Sequence, residues 1–344
     1  MIRRAWWATG LALVIALCSG LESRAAFGQE QSFKGKTIRI IVGLAPGGGF
    51  DTYSRVISRH MGRHIPGNPA IIVDNMPGAA SVISANYLFK VAKPDGLTIG
   101  NFVGGIAMHE LFGKPGIEFQ ATKFEYLGVP AQDNFMLGVA KSAGITSVEQ
   151  WKASGTMLKF GGVSPGGGTD DLPKVVKEVL GLPLQLVTGY KGTGPIRLAF
   201  NSGEVQGVSN SIESFKATWT NEMEKGDVII LLQETVKAHP SLPNVPVAFD
   251  LAKTEEGKKL IRAQATINGV TNRVYALPPG TPKTLVQTLR KAFMATLKDP
   301  EFLSDAKKAR LDIDPLDGEA IANDVKGFFS LERSLVEKLK EILK

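Results

Sequence analysis

One pattern occurs twice in this 344-residue chain and limits its possible folds more than any other feature. Gly43-Leu44-Ala45-Pro46-Gly47-Gly48-Gly49-Phe50-Asp51 returns as Gly162-Val163-Ser164-Pro165-Gly166-Gly167-Gly168-Thr169-Asp170, with prolines, glycine triplets and aspartates all 119 positions apart. A β-like run precedes each copy, Thr37-Ile38-Arg39-Ile40-Ile41-Val42 and Met157-Leu158-Lys159-Phe160. After each copy, apolar residues fall at helical spacing. Tyr53, Val56, Ile57, His60 and Met61 match Leu172, Val175, Val176, Val179 and Leu180, the buried stripe of an amphipathic helix. The chain therefore holds two strand–glycine loop–helix units, one per domain, and suggests two similar jaws around one ligand.

The physics of such a loop favours anions. The first N–H groups of a helix lack intrahelical acceptors, and the helix dipole places partial positive charge there, worth about 0.3–1 kcal/mol in the open. Glycines let the chain turn and let a ligand approach without a Cβ in the way. Taken alone, Pro-Gly-Gly-Gly is a turn, with Asp51 and Asp170 as N-caps. The duplication, with a helix after each loop, moves the reading toward binding.

The N-terminus reads as a secretory signal peptide over residues 1–28. Arg3 and Arg4 precede an uncharged stretch from Ala5 to Leu21, and small residues follow near Ala25, Ala26 and Gly28. Leu17 before Cys18 argues against lipidation. Cys18 is the only cysteine, so the mature chain has no disulfide or thiol chemistry. Losing three arginines and one glutamate lowers the formal charge from +7 to +5. That excess is spread out, with no basic block to argue for nucleic acid.

Strands and helices alternate, the signature of α/β doubly wound domains. Further strands are expected at Ile71–Val73, Leu97–Ile99, Phe135–Ala140, Leu184–Val187, Val205–Val208, Val228–Leu232 and Val270–Leu277. Two C-terminal helices follow, one through Leu285, Leu289, Phe293 and Leu297, the other through Ile321, Val325, Phe328 and Leu335. Crossings between two lobes are expected near residues 128–134 and 250–268. Lobe 1 then comprises residues 33–133 plus 255–344, and lobe 2 residues 134–254.

Seven stretches in order carry a resemblance. They are Ile40-Ile41-Val42 with Pro46-Gly47-Gly48 and Asp51; Asn75-Met76-Pro77-Gly78-Ala79; Lys93-Pro94-Asp95-Gly96-Leu97-Thr98; Gly166-Gly167-Gly168-Thr169; Tyr190-Lys191-Gly192; Leu242-Pro243-Asn244-Val245-Pro246; and Pro278-Pro279-Gly280-Thr281-Pro282. The chain resembles the periplasmic substrate-binding receptors of the tripartite tricarboxylate transporters, the Bug-type receptors. The resemblance implies a two-lobed, type II-like periplasmic-binding-protein ("Venus flytrap") architecture, each lobe a doubly wound sheet. It implies a periplasmic monomer that closes over a small carboxylate and hands it to a permease of one small and one large membrane subunit, without cofactor or metal. Carried over by position, the binders are Gly47, Gly48, Gly49, Phe50 and Asp51 with Ser164, Gly166, Gly167, Gly168 and Thr169, then Ala79, Gly104, Tyr190 and Asn210. Asn210 stands where the family often has Asp, and Ala80-Ser81 where it has Gly-Gly.

Gly162-Val163-Ser164-Pro165-Gly166 matches a hydrolase nucleophile elbow, and Ser164, Asp227 and His239 follow the order of a triad. Pro165, however, has no N–H to give an oxyanion hole, and the duplicate has Ala45 at the serine position. Neither loop carries a Walker A or dinucleotide fingerprint. His60 and His64 read as a satisfied structural pair rather than metal ligands, and His109 and His239 as isolated loop or surface residues. Trp151 and Trp219 read as core. Phe50 either packs on the ligand's carbon chain or on its own domain. A receptor that presents a carboxylate to a membrane sensor kinase would have the same sequence features as a transport receptor.

Overall fold

The computed structural model describes residues 33–344, so the expected signal peptide and Cys18 lie outside the described residues. Two sheets carry the architecture. The first runs in the order β11-β4-β10-β3-β1-β2, from β1 (Thr37–Val42), β2 (Ala70–Asn75), β3 (Thr98–Val103), β4 (Glu125–Val129), β10 (Arg273–Leu277) and β11 (Leu316–Asp317). The second runs β7-β6-β8-β5-β9, from β5 (Phe135–Ala140), β6 (Leu158–Gly161), β7 (Leu184–Val187), β8 (Gly207–Ser211) and β9 (Val228–Gln233). Helices cover the sheets, as the alternating pattern requires. Among the described residues, no helix is long and apolar enough to cross a membrane.

Each sheet is mixed. β1 is parallel to β2 and β3, while β10 is antiparallel to β3 and β4. Likewise β6 is parallel to β7 and β8, while β5 is antiparallel to β8 and β9. The physical reason lies in chain direction. β5 and β10 start where the chain arrives from the other sheet, so they leave the junction that the parallel strands approach with their carboxyl ends.

The two predicted helices form as Gly49–Met61 and Gly168–Leu180, and the expected stripes are buried except for the half-buried Val179. Beneath the first, Ser54, Asn101 and Tyr275 share one buried hydrogen-bond network, in which Asn101 Nδ2 donates to Ser54 Oγ at 2.7 Å. Trp151 stacks on Phe160, and Trp219 packs edge-on against Phe200 and Phe215, all in the core.

Several boundaries differ from expectation. β8 begins at Gly207 rather than Val205, β10 at Arg273 rather than Val270, and a wide helical turn occupies Thr266–Val270. The single final helix is two, Gly318–Phe328 and Arg333–Ile342. The break redirects the chain. The first piece packs on β4, and the second crosses to lie against Gly168–Leu180 and Glu255–Ala265.

Candidate functional site

Both glycine loops sit at strand carboxyl ends, and each reaches the opposite sheet's side of the junction. The N–H of Ala45 donates to the Lys191 carbonyl at 3.0 Å. A Cβ on Gly48 would come within 2.9 Å of Thr193 Oγ1, and one on Gly49 would collide with Ser214 Oγ and stand 2.6 Å from Arg273 Nη1. From the other side, a Cβ on Gly166 would meet His109 Nε2 at 2.6 Å, and Gly167 faces the Ala80 methyl. Gly168 lies against the Phe135 ring with no room for a Cβ. The triplets therefore let two lobes close to backbone distance, a use that adds to the anion cradle expected of them.

The aspartates are not N-caps. Gly48 and Gly167 hold the cap positions, and neither offers a side chain. Asp51 sits at the third helical position and accepts the N–H of Gly47, the residue before the cap, at 3.1 Å. In the second copy the equivalent Gly166 N–H goes to Asp171 instead, at 3.1 Å. Asp170 is displaced to the Ser164 N–H at 2.9 Å and to the hydroxyls of Thr169 and Thr188. Both acids thus face their own loop. Burial holds Asp170 above the usual carboxylate range and pushes Asp171 up to about 7, against the Gly166 hydrogen bond that lowers it. The amides of Gly49, Phe50, Gly168 and Thr169 lie in first helical turns, where no intrahelical acceptor exists.

Between the loops lies a cavity of about 30 Å³, lined by Leu44, Phe50, Ala80, Val103, Phe135, Val163, Gly167, Gly168, Thr169, Thr193, Asn210, Ser211, Ser214 and Asn272. Five of these were named from sequence: Phe50, Gly167, Gly168, Thr169 and Asn210. Asn210 is 2% exposed; its Oδ1 accepts the Ser211 N–H, and its Nδ2 has no partner. The other named positions lie around the cavity rather than on it. Gly47 borders a surface groove with Thr52 and Arg197. Tyr190 turns its hydroxyl to Glu204. Gly104 packs on the Thr271 carbonyl, and Ala79 gives way to its neighbour Ala80 as the lining residue.

Ala79, Ala80 and Ser81 are all left-handed, with φ of +46°, +48° and +81°. Three consecutive non-glycine residues in that region store backbone strain at the cavity wall. Phe50 lines the cavity and stacks on the Arg273 guanidinium of its own sheet, 4.8 Å from ring centre to Cζ.

Arg273 is the residue that sequence reading missed. It is fully buried, lies between the rings of Phe50 and Tyr53, and binds Asp133 Oδ1 at 2.7 Å. Its Nη2 also reaches Ser211 and Ser214, at 3.0 and 2.8 Å, across from the second sheet. Asn272 beside it donates to Asp133 Oδ2. No local motif marks Arg273; the one signal was a charged residue opening an apolar strand.

The histidines resolve individually. His60 binds Asp305 at 3.0 Å and packs edge-on to Phe302, and His64 binds Asp299 at 2.8 Å, so both tie the first helix to Pro300–Lys308. His109 lies in a helix against Gly166, not in a loop, and burial lowers it to about 4. His239 bonds Ser241, and Ser164 Oγ points to the Pro165 carbonyl at 3.5 Å, so Ser164 and His239 share no hydrogen bond.

The family model described as tripartite tricarboxylate transporter family receptor matches residues 54–337, and the chain belongs to that family. A Cupriavidus necator protein, the UPF0065 protein in the gbd 5′ region, is 26% identical over 332 residues, covering 93% of this chain and 92% of its own. The fold is that of the periplasmic binding protein BugD, with TM-score 0.73, 20% identity, and coverage of 90% of this chain and 98% of that one. MatC of Rhodopseudomonas palustris, solved with malate bound, aligns with TM-score 0.70 at 19% identity over 91% of this chain and all of its own. These matches place the two sheets in a two-lobed binding-protein architecture.

Proposed function

We propose that the mature protein is a periplasmic solute receptor that closes over a small organic acid and delivers it to a two-subunit membrane permease of the tripartite type. Residues 33–133 with 255–344 form one lobe and 134–254 the other. The observation that carries this reading is the convergence of both glycine loops on one cavity whose polar lining is neutral. First-turn amides and the free Asn210 Nδ2 supply donors to a carboxylate, without a side-chain charge. Proteins of this fold with a malate-bound member support the ligand class.

Closure follows from the same contacts. At about 30 Å³ the cavity is far smaller than an ordinary ligand pocket of roughly 300–1,000 Å³. A ligand therefore enters with the lobes apart, and closure forms around it. A thermal-shift screen of organic, amino and aromatic acids on the mature protein tests the reading. A ligand at a hundred times its Kd adds about 2.7 kcal/mol of stability. Absence of stabilisation by every acid, or an equal response in a Gly168→Ala variant, would reject it.

A further inference from the structure

His109 is a titratable side chain on the surface along which the two proposed lobes meet. It lies in the short helix Ala107–Leu111, within residues 33–133, whereas the glycine loop it packs on belongs to residues 134–254. Gly166, left-handed with φ of +89°, turns its bare face to the imidazole; a Cβ there would stand 2.6 Å from Nε2 and 2.7 Å from Cε1. The ring fills the space that this glycine leaves open, so the opposite lobe supplies part of its cover.

The charges that act on the ring are of one sign. Lys114, in the turn after its own helix, and Lys174, on the opposing helix Gly168–Leu180, both work against a further positive charge. Lys174 itself reaches the Leu343 carbonyl at 3.4 Å. The nearby carboxyls are engaged elsewhere. Asp171 takes the Gly166 N–H, Asp170 the Ser164 N–H and the hydroxyls of Thr169 and Thr188, and Glu110 the Ala121 N–H. Among the described residues, no hydrogen bond or carboxylate supports a proton on His109. Burial is the largest cause that lowers the imidazole to about 4, and the two lysines add to it. With the lobes apart, Gly166 leaves the ring, water reaches it, and the ordinary value near 6.5 applies.

We propose that His109 is a proton-operated latch on closure: neutral, its ring seats against Gly166; protonated, it keeps the lobes apart, so the receptor sheds its acid as the medium acidifies. This rests on the reading that the lobes close over an acid, and adds a condition under which they do not. The sign follows from linkage. Between about pH 4 and 6.5 the closed form binds fewer protons than the open form, so affinity is full above that window and falls as pH drops through it.

Titration calorimetry at pH 7.5 and 5.5 tests it, with malate, succinate, glutamate and benzoate as probes. The expected loss of affinity on acidification is about tenfold greater in the parent than in His109→Gln, with His109→Asn as a second neutral replacement. Ionisation of the probe, and of the raised carboxyls Asp171, Glu213 and Glu234, is common to parent and variants and cancels in the comparison. At pH 6, in buffers of different protonation heat, the parent should release roughly 0.7 proton more per acid bound than either variant. Affinity in the parent that does not fall, or that falls equally in the variants, would overturn the proposal while leaving the receptor reading intact. Binding of none of the four acids at pH 7.5 would instead sink that reading, and the latch with it.

Discussion

Asp133 and Arg273 form a fully buried ion pair, 2.7 Å from Oδ1 to Nη2, that ties the first crossing between the sheets to the first residue of β10. The guanidinium extends the tie to Ser211 and Ser214 of the second sheet's side, and Glu213 sits close enough for Asp133 to help raise its carboxyl to about 8. Such a pair adds little net stability over an apolar substitute, yet it is expensive to break from one side. Asp133→Asn should therefore cost about 3–5 kcal/mol in chemical denaturation. A loss below ~1 kcal/mol would mean that solvent reaches the guanidinium.

The glycines separate closure from flexibility. Gly49→Ala places a methyl against Ser214 and Arg273, so small-angle scattering with saturating acid should show no contraction of the variant. Gly327, by contrast, lies in a helix with open space around its Cα. Gly327→Ala should add about 0.4–1 kcal/mol of stability and leave binding untouched.

Ala80→Gly should behave unlike most alanine-to-glycine changes. In an ordinary helix it would cost roughly 0.5–1 kcal/mol. At φ +48° the strain relieved is about 1–2 kcal/mol, so the variant should be as stable as the parent or better. It also removes the methyl that faces Gly167, and a wider range of acids should then produce thermal shifts. Destabilisation by more than 1 kcal/mol would contradict the left-handed backbone there.

Stability should fall between about pH 6.5 and 8. Burial raises Asp171 to about 7 and both Glu213 and Glu234 to about 8, so the folded state binds more protons than the unfolded state across that window. These contributions are complete below the ordinary carboxylate range and are lost as pH rises through the folded values. His109, lowered to about 4, acts in the opposite sense, but only below its ordinary value near 6.5. Glu234→Gln should flatten the decline by up to about 1.4 kcal/mol per pH unit, read from urea midpoints. A profile unchanged by that substitution would show that Glu234 titrates normally.

Much of the fold was legible because it is written in short range. β1 is a β-branched run, the two helices after the glycine loops carry a 3.6-residue stripe, and the repeat announced two similar units. The departures are tertiary. β10 starts three residues later than its apolar run because Thr266–Val270 is held in a helical turn, and the last helix breaks to cross onto Gly168–Leu180. The aspartates of the repeat looked equivalent, yet an extra acid at 171 takes the Gly166 amide and frees Asp170 for Ser164 and Thr188.

By itself the sequence determined the element order, the two loops and their position at strand ends, since each depends on neighbours within a few residues. Only the tertiary structure decided what the glycines face, which residues line the cavity, and that Asp133 and Arg273 meet. Those partners are 140 residues apart, and His109 meets Gly166 through a contact that no local pattern encodes. Burial and unmatched polar atoms arise when separate segments pack, and it is there that a shared loop becomes a particular binding site.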